Sequence, residues 1–137
     1  MDDNRLAELL LEYMPYPEKR YTPLVLICKN KEISEGMLNK FKATCAEEKI
    51  TLIDGLEAIL SGNSVDFDSE QNICVIFEDL QVIAGNHEHE QRFFEIFNIA
   101  FDRTIPILIT LNNNSRYLPF EERNFCRFTW GMKAEIN

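Results

Sequence analysis

Ile73-Cys74-Val75-Ile76-Phe77-Glu78-Asp79 is an unbroken apolar run that ends in two acids. A run of this length, bounded by polar residues, reads as a strand covered on both faces, the form taken by inner strands of a parallel sheet. On its C-terminal side, residues 89–103 place Phe93, Phe94, Ile96, Phe97, Ala100 and Phe101 at helical spacing, the strongest periodic signal in the chain. Residues 106–111 predict another strand, followed by the turn Asn112-Asn113-Asn114-Ser115. Beyond it, 119–127 predict a short helix and 130–136 a last strand, with Trp130 at its start as a core anchor. On the N-terminal side, a polar loop runs from Ser61-Gly62-Asn63-Ser64 through Asp66, Asp68 and Glu70. Before it come a helical turn at 56–60, a strand at 50–53, and a helix opening at Ser34 or Glu35 with Met37, Leu38, Phe41 and Cys45 on one side. Pro23 precedes the apolar strand Leu24–Cys28, and a helix over 4–13, carrying Leu6, Leu9 and Leu10, stops before Pro15 and Pro17. Strands alternating with helices predict an α/β fold, a parallel sheet with helices on both faces. No linker or repeat divides residues 1–137, so one domain is expected, with 1–21 as an N-terminal helix and lead-in.

A chain of 137 residues, 45% of them hydrophobic, can bury a core without metal or disulfide staples. The four cysteines, Cys28, Cys45, Cys74 and Cys126, form no C-x-x-C pair and read as buried reduced thiols. His87 and His89 lie in a polar stretch without other clustered ligands and read as solvent-exposed, so no metal site is predicted. The longest apolar runs are strand-sized, which excludes a membrane span. The opening Met1-Asp2-Asp3-Asn4 is acidic where an export signal would be basic, so a cytoplasmic location is expected. Net charge is −9, and the basic residues gather only loosely, at Lys29, Lys31, Lys40 and Lys42 and at Arg116, Arg123 and Arg127. Binding to nucleic-acid phosphates draws on clustered Lys and Arg, so the overall field disfavours direct nucleic-acid binding and points to a protein partner.

An apolar strand ending in two acids is what a nucleotide hydrolase uses to hold Mg²⁺ beside a phosphate. Here Glu78-Asp79-Leu80-Gln81-Val82-Ile83-Ala84-Gly85 leads into Glu90-Gln91-Arg92-Phe93-Phe94-Glu95-Ile96-Phe97-Asn98. Ile107-Leu108-Ile109-Thr110 follows, then Phe120-Glu121-Glu122-Arg123-Asn124-Phe125-Cys126-Arg127-Phe128-Thr129-Trp130-Gly131. This series closely resembles the AAA+ module of the bacterial replication initiator DnaA and its shorter regulatory relative Hda. The resemblance runs from about Thr22 to the C-terminus and is most specific in the last block. It implies a five-stranded parallel sheet of P-loop NTPase type. It places Glu78 and Asp79 at the Walker B position, residues 110–112 with Asn112 at the sensor position, and Arg127 at the arginine finger that reaches a neighbour's ATP, with Arg123 as the other arginine of that box.

The departures from that pattern carry the functional expectation. The resemblance puts a Gly-rich Walker A loop after the first strand, with a Lys and a Thr for the γ-phosphate and Mg²⁺. The chain instead reads Cys28-Lys29-Asn30-Lys31-Glu32-Ile33-Ser34-Glu35, with no glycine, Ser34 at the lysine position and Glu35 at the hydroxyl position. Without glycine the backbone does not readily take the φ > 0 conformations that wrap N–H groups around a phosphate. Glu32 and Glu35 would set negative charge beside a triphosphate. Asn112 stands where the family usually has an acid. The sequence also ends where the family's helical lid would begin, lacks the long insertion before the Walker B strand, and shows no C-terminal DNA-binding domain and no sliding-clamp peptide near Met1. The expectation is a degenerate ATPase fold with no catalytic residues and no cofactor. It would regulate replication initiation by binding an AAA+ partner such as the initiator, with self-association as a further mode. Two alternatives stand beside it: a divergent ATP-binding protein or weak ATPase using Lys29 or Lys31 with Glu78 and Asp79, and an interaction scaffold unrelated to replication that binds through its acidic surface.

Overall fold

Five parallel strands, β1 (Leu24–Cys28), β2 (Thr51–Asp54), β3 (Ile73–Phe77), β4 (Ile107–Leu111) and β5 (Met132–Ile136), form one sheet in the order β2-β3-β4-β1-β5. The structure is a computed structural model that describes residues 2–15, 22–68 and 72–137. The interior strands β1, β3 and β4 are the continuous apolar runs of the sequence, and β3 and β4 are buried along their whole length. Register pairs Val25 with Ile109 on one side of β1 and with Lys133 on the other. Among the described residues, α1 (Asp3–Tyr13) precedes the sheet, and α2 (Lys31–Glu47), α3 (Gly55–Ser61), α4 (His87–Asp102) and α5 (Glu122–Arg127) lie between successive strands.

Side-chain alternation along each strand sorts these helices into two layers. Leu24, Leu26, Cys74, Ile76 and Leu108 face α1 and α2, meeting Ala7, Leu10, Leu11, Leu38, Phe41 and Cys45. Val25, Ile27, Val75, Phe77 and Ile109 face the other way, against Ala58, Ile59, Phe93 and Phe97 of α3 and α4. Phe77 meets Phe93 edge to face with ring centroids 4.9 Å apart. Each large apolar side chain buried in this way contributes roughly 1.5–3 kcal/mol relative to exposure. The periodic phenylalanines of α4 are therefore the main support of that layer.

Element boundaries follow local chemistry. Asn30 accepts from the Ile33 N–H at 3.1 Å and caps α2, so the helix opens at Lys31 and not at Ser34 or Glu35 as expected. Asn86 does the same for α4 through the His89 N–H, so that helix opens at His87. Gly55 lies against the Phe77 ring, where a Cβ would collide with it. Gly131 lies against the Pro23 backbone, and the next N–H, of Met132, donates to the Pro23 carbonyl at 3.0 Å to start the β5 pairing. That approach sets the start of the last strand at Met132, so Trp130 is neither in the strand nor a core anchor. It is 45% exposed and packs edge-on to Phe97 and Phe101. Cys45 and Cys74 are buried as expected, Cys28 is half-buried, and Cys126 is exposed, which corrects the reading of four buried thiols. Pro17 and Glu70 lie outside the described residues. Among the described residues no helix is long and apolar enough to cross a membrane.

Candidate functional site

The ends of β1, β3 and β4 bring together the residues that the sequence assigned to the phosphate-loop and acidic-strand positions. Cys28, last in β1, shows the convergence: burial pushes its thiol up, a hydrogen bond with Ser34 pulls it down, and the carboxylates of Asp79 and Glu78 push it up further. Only Lys29 and Asn30 separate β1 from α2. Both of their N–H groups donate to the carbonyl of Ile136, at 2.8 and 3.2 Å. The Ile33 N–H goes to the Asn30 side chain, and the Ser34 N–H to the Asn30 carbonyl at 2.9 Å. Ser34 is buried, and its hydroxyl donates to that same carbonyl at 2.7 Å. Lys31, Glu32, Ile33, Ser34 and Glu35 thus form the first turn of a capped helix. Lys29 pairs with Glu135 at 2.9 Å, and the exposed Lys31 lies 3.9 Å from Glu35.

At the end of β3, Glu78 meets Lys42 of α2 at 2.7 Å. Both side chains are more than a third exposed, so the pair matters more as a fixed neutralising contact than as stabilisation. Asp79 takes a left-handed backbone, φ 56°, and its N–H donates to the Oγ1 of the buried Thr110 at 2.8 Å. Gln81 links the acid to Asn112: its Nε2 donates to Asp79 at 3.4 Å, and its Oε1 accepts from the Asn112 N–H at 3.1 Å. Lys42 and Gln81 were missed from sequence. Lys42 lies far along α2 from the phosphate-loop position, and only the fold brings it to Glu78.

The arginine box occupies α5, which packs across α4. Arg123 donates through Nε to Glu121 at 3.1 Å and through Nη2 to Gln91 at 2.5 Å, with its guanidinium 4.5 Å above the Phe94 ring. Arg127 donates through Nε to Asn98 Oδ1 at 3.1 Å and lies over two rings, 4.9 Å from Phe94 and 4.1 Å from Trp130. Among the described residues Arg127 pairs with no carboxylate. A buried node beneath the box also escaped the sequence reading. Glu90, fully buried in the first turn of α4, accepts from the N–H groups of Gly85 at 2.9 Å and Glu121 at 2.7 Å and from Asn124 Nδ2 at 3.1 Å. His87, half of the expected exposed pair, meets Glu121 at 2.7 Å, and this contact, ahead of the Arg123 charge, holds the Glu121 carboxyl below the usual range. Among the described residues no three His, Cys, Asp or Glu side chains converge as metal ligands.

This sheet order, with an acidic strand end and a strand-to-helix turn on either side of β4 at the carboxyl edge, is a P-loop NTPase-like fold of the AAA+ kind. No family model matches the chain. Over 86 residues, 61% of the chain, it is 31% identical to the chromosomal replication initiator protein DnaA of Limosilactobacillus fermentum, and it covers 20% of that protein. It is 32% identical over 84 residues to DnaA of Methylacidiphilum infernorum, 59% of the chain and 18% of that relative. Among solved structures it superimposes along its whole length on domain III of the Thermotoga maritima replication initiation protein DnaA, covering 63% of that chain, with a TM-score of 0.78 at 18% identity. Against AMPPCP-bound DnaA from Aquifex aeolicus the TM-score is also 0.78, at 20% identity, over 47% of that chain. In sequence over about 60% of its length, and in fold, this chain is similar to the bacterial replication initiator DnaA. It spans about a fifth of the length of the curated relatives it matches.

Proposed function

We propose that the chain is a non-catalytic, cytoplasmic DnaA-type module that regulates replication initiation by binding an AAA+ partner of the initiator kind. One observation carries the reading: at the phosphate-loop position a two-residue turn and a capped helix use the N–H groups of Lys29, Asn30, Ile33 and Ser34 internally. A triphosphate held in the family manner needs such groups turned toward its oxygens. The acidic strand end supports the same reading, because the Lys42 ammonium already neutralises Glu78, a carboxylate that a metal would otherwise claim. The arginine box differs. It keeps both arginines at the surface, and among the described residues Arg127 answers to no carboxylate. A module of this kind can engage a neighbour through its arginine side and hold no nucleotide of its own. The alternative of ATP binding through Lys29 or Lys31 draws less support, since both ammonium groups lie beside glutamates.

The test is association with the initiator of the same cell, followed by sedimentation of the purified proteins at about 10 µM, where a micromolar complex would be mostly formed. A complex weakened by Arg127→Ala is expected. No complex with either nucleotide-free or ATP-loaded initiator would overturn the proposal.

A further inference from the structure

We infer that Asn98 and Phe94 are positioning residues that preset Arg127 as a planar, outward-facing fork for an oxyanion of the partner. The inference rests on the proposed partner binding for its functional meaning, but its structural half stands alone. Phe94 and Asn98 are four residues apart on α4 and so share a face. Phe94 lies under the Arg127 guanidinium, and Asn98 takes its Nε–H. No hydrogen bond among the described residues uses Arg127 Nη1 or Nη2, the pair of nitrogens that bind carboxylate or phosphate oxygens side by side. Arg123 has the opposite arrangement: its Nε and Nη2 are both taken, one by a carboxylate. The structure thus gives the two arginines opposite settings. Arg123 ties α5 to α4, and Arg127 is held from behind with its donor edge open.

Asn98 has no evident structural reason to be where it is. Asparagine is a poor residue for the interior of a helix, it is only half-buried, and its side-chain bond among the described residues is the one to Arg127. Holding Arg127 removes rotamer freedom before binding, and that cost would otherwise fall on the complex. Trp130, 45% exposed with its ring 4.1 Å from the guanidinium, supplies an aromatic neighbour of the kind that concentrates binding energy at interfaces. The oxyanion is a phosphate of the partner's nucleotide or a partner carboxylate, and the two share this chemistry.

Two variants separate the hydrogen bond from bulk. Asn98→Leu keeps the branched shape and loses the acceptor, and Asn98→Asp keeps both the size and the acceptor. In the isolated chain, ¹⁵N relaxation of the Arg127 Nε–H group is expected to show order lost in Asn98→Leu and kept in Asn98→Asp. Binding to the initiator is expected to weaken roughly twofold to tenfold in Asn98→Leu, the range for ordering one rotamer-rich side chain on binding. No further loss is expected when Arg127→Ala is already present. If Arg127's contribution appears only with ATP-loaded initiator, the oxyanion is phosphate; if it persists without nucleotide, it is a carboxylate. Unchanged Arg127 order in Asn98→Leu, or losses that simply add, would overturn the inference. If the wild-type chain forms no complex, partner binding fails while the relaxation measurement still decides whether Asn98 positions Arg127.

Discussion

Thr110 shows how one hydroxyl can fix the geometry of an acidic strand end. Its Oγ1 accepts the N–H of Asp79, whose left-handed backbone turns the chain away from β3. Thr110→Val keeps the shape and strands that N–H, and is expected to cost about 1–3 kcal/mol in chemical denaturation, with Thr110→Ser recovering most of it. Arg127 and Arg123 are expected to part company in a second measurement. Arg127→Ala should weaken partner binding and lower the melting temperature only slightly, because it loses one hydrogen bond and its ring contacts but no ion pair. Arg123→Ala should lower the melting temperature, because it cuts α5 away from Glu121 and Gln91. The thiols give a third outcome, with a definite sign. Burial raises Cys45 from 9.0 to about 11, and burial also pushes Cys74 up. The unfolded chain then loses these protons first, so the stability they contribute is whole below pH 9 and falls as pH climbs from 9 to 11. Denaturation followed across that window should show the decline, and Cys45→Ala should make it shallower, leaving the part due to Cys74.

Among the elements, those legible from sequence were the ones whose signal is local. The apolar runs of β1, β3 and β4 and the phenylalanine periodicity of α4 need no knowledge of neighbours, and all four stand where the pattern placed them. Boundaries set by one cap or one close approach were misplaced. Asn30 opened α2 early enough to turn an expected loop into a helix, and Gly131 against Pro23 delayed β5 to Met132. The contacts of the candidate-site residues were not legible in the sequence. Lys42 on Glu78, Gln81 on Asn112, and Asn98 on Arg127 are pairings of residues far apart in sequence. Glu90 is the sharpest case, because a glutamate in a helix's first turn reads as a solvated charge. It is instead the acceptor that joins Gly85, the start of α5 and Asn124 to α4. Glu90→Leu would leave those donors buried and unanswered. Its expected cost is about 3 kcal/mol or more, seen as an early melting transition and loosened hydrogen exchange across α5.

At the scale of the whole molecule, the two ends of the proposed function lie in different parts of the fold. The carboxyl edge of the sheet has turned inward: its amides serve β5 and α2, and Glu78 serves Lys42. The α4–α5 surface remains turned outward, with Arg127 set above Phe94 and beside Trp130. A protein so divided should respond to a partner and be indifferent to nucleotide, and melting with Mg-ATP tests the indifference directly. A ligand that binds only the folded state adds about 2.7 kcal/mol when its concentration is 100 times its Kd. At about 1 mM ATP, even a site with a Kd of about 10 µM would therefore raise the melting temperature by several degrees in a domain of this size. The expected result is no shift. A rise that is abolished by Glu78→Ala or Asp79→Ala, yet untouched by Arg127→Ala, would mean the inward edge still opens for nucleotide. In that event the internal hydrogen bonds of Lys29 and Asn30 to Ile136 must break on binding, and their N–H groups would lose hydrogen-exchange protection as ATP is added.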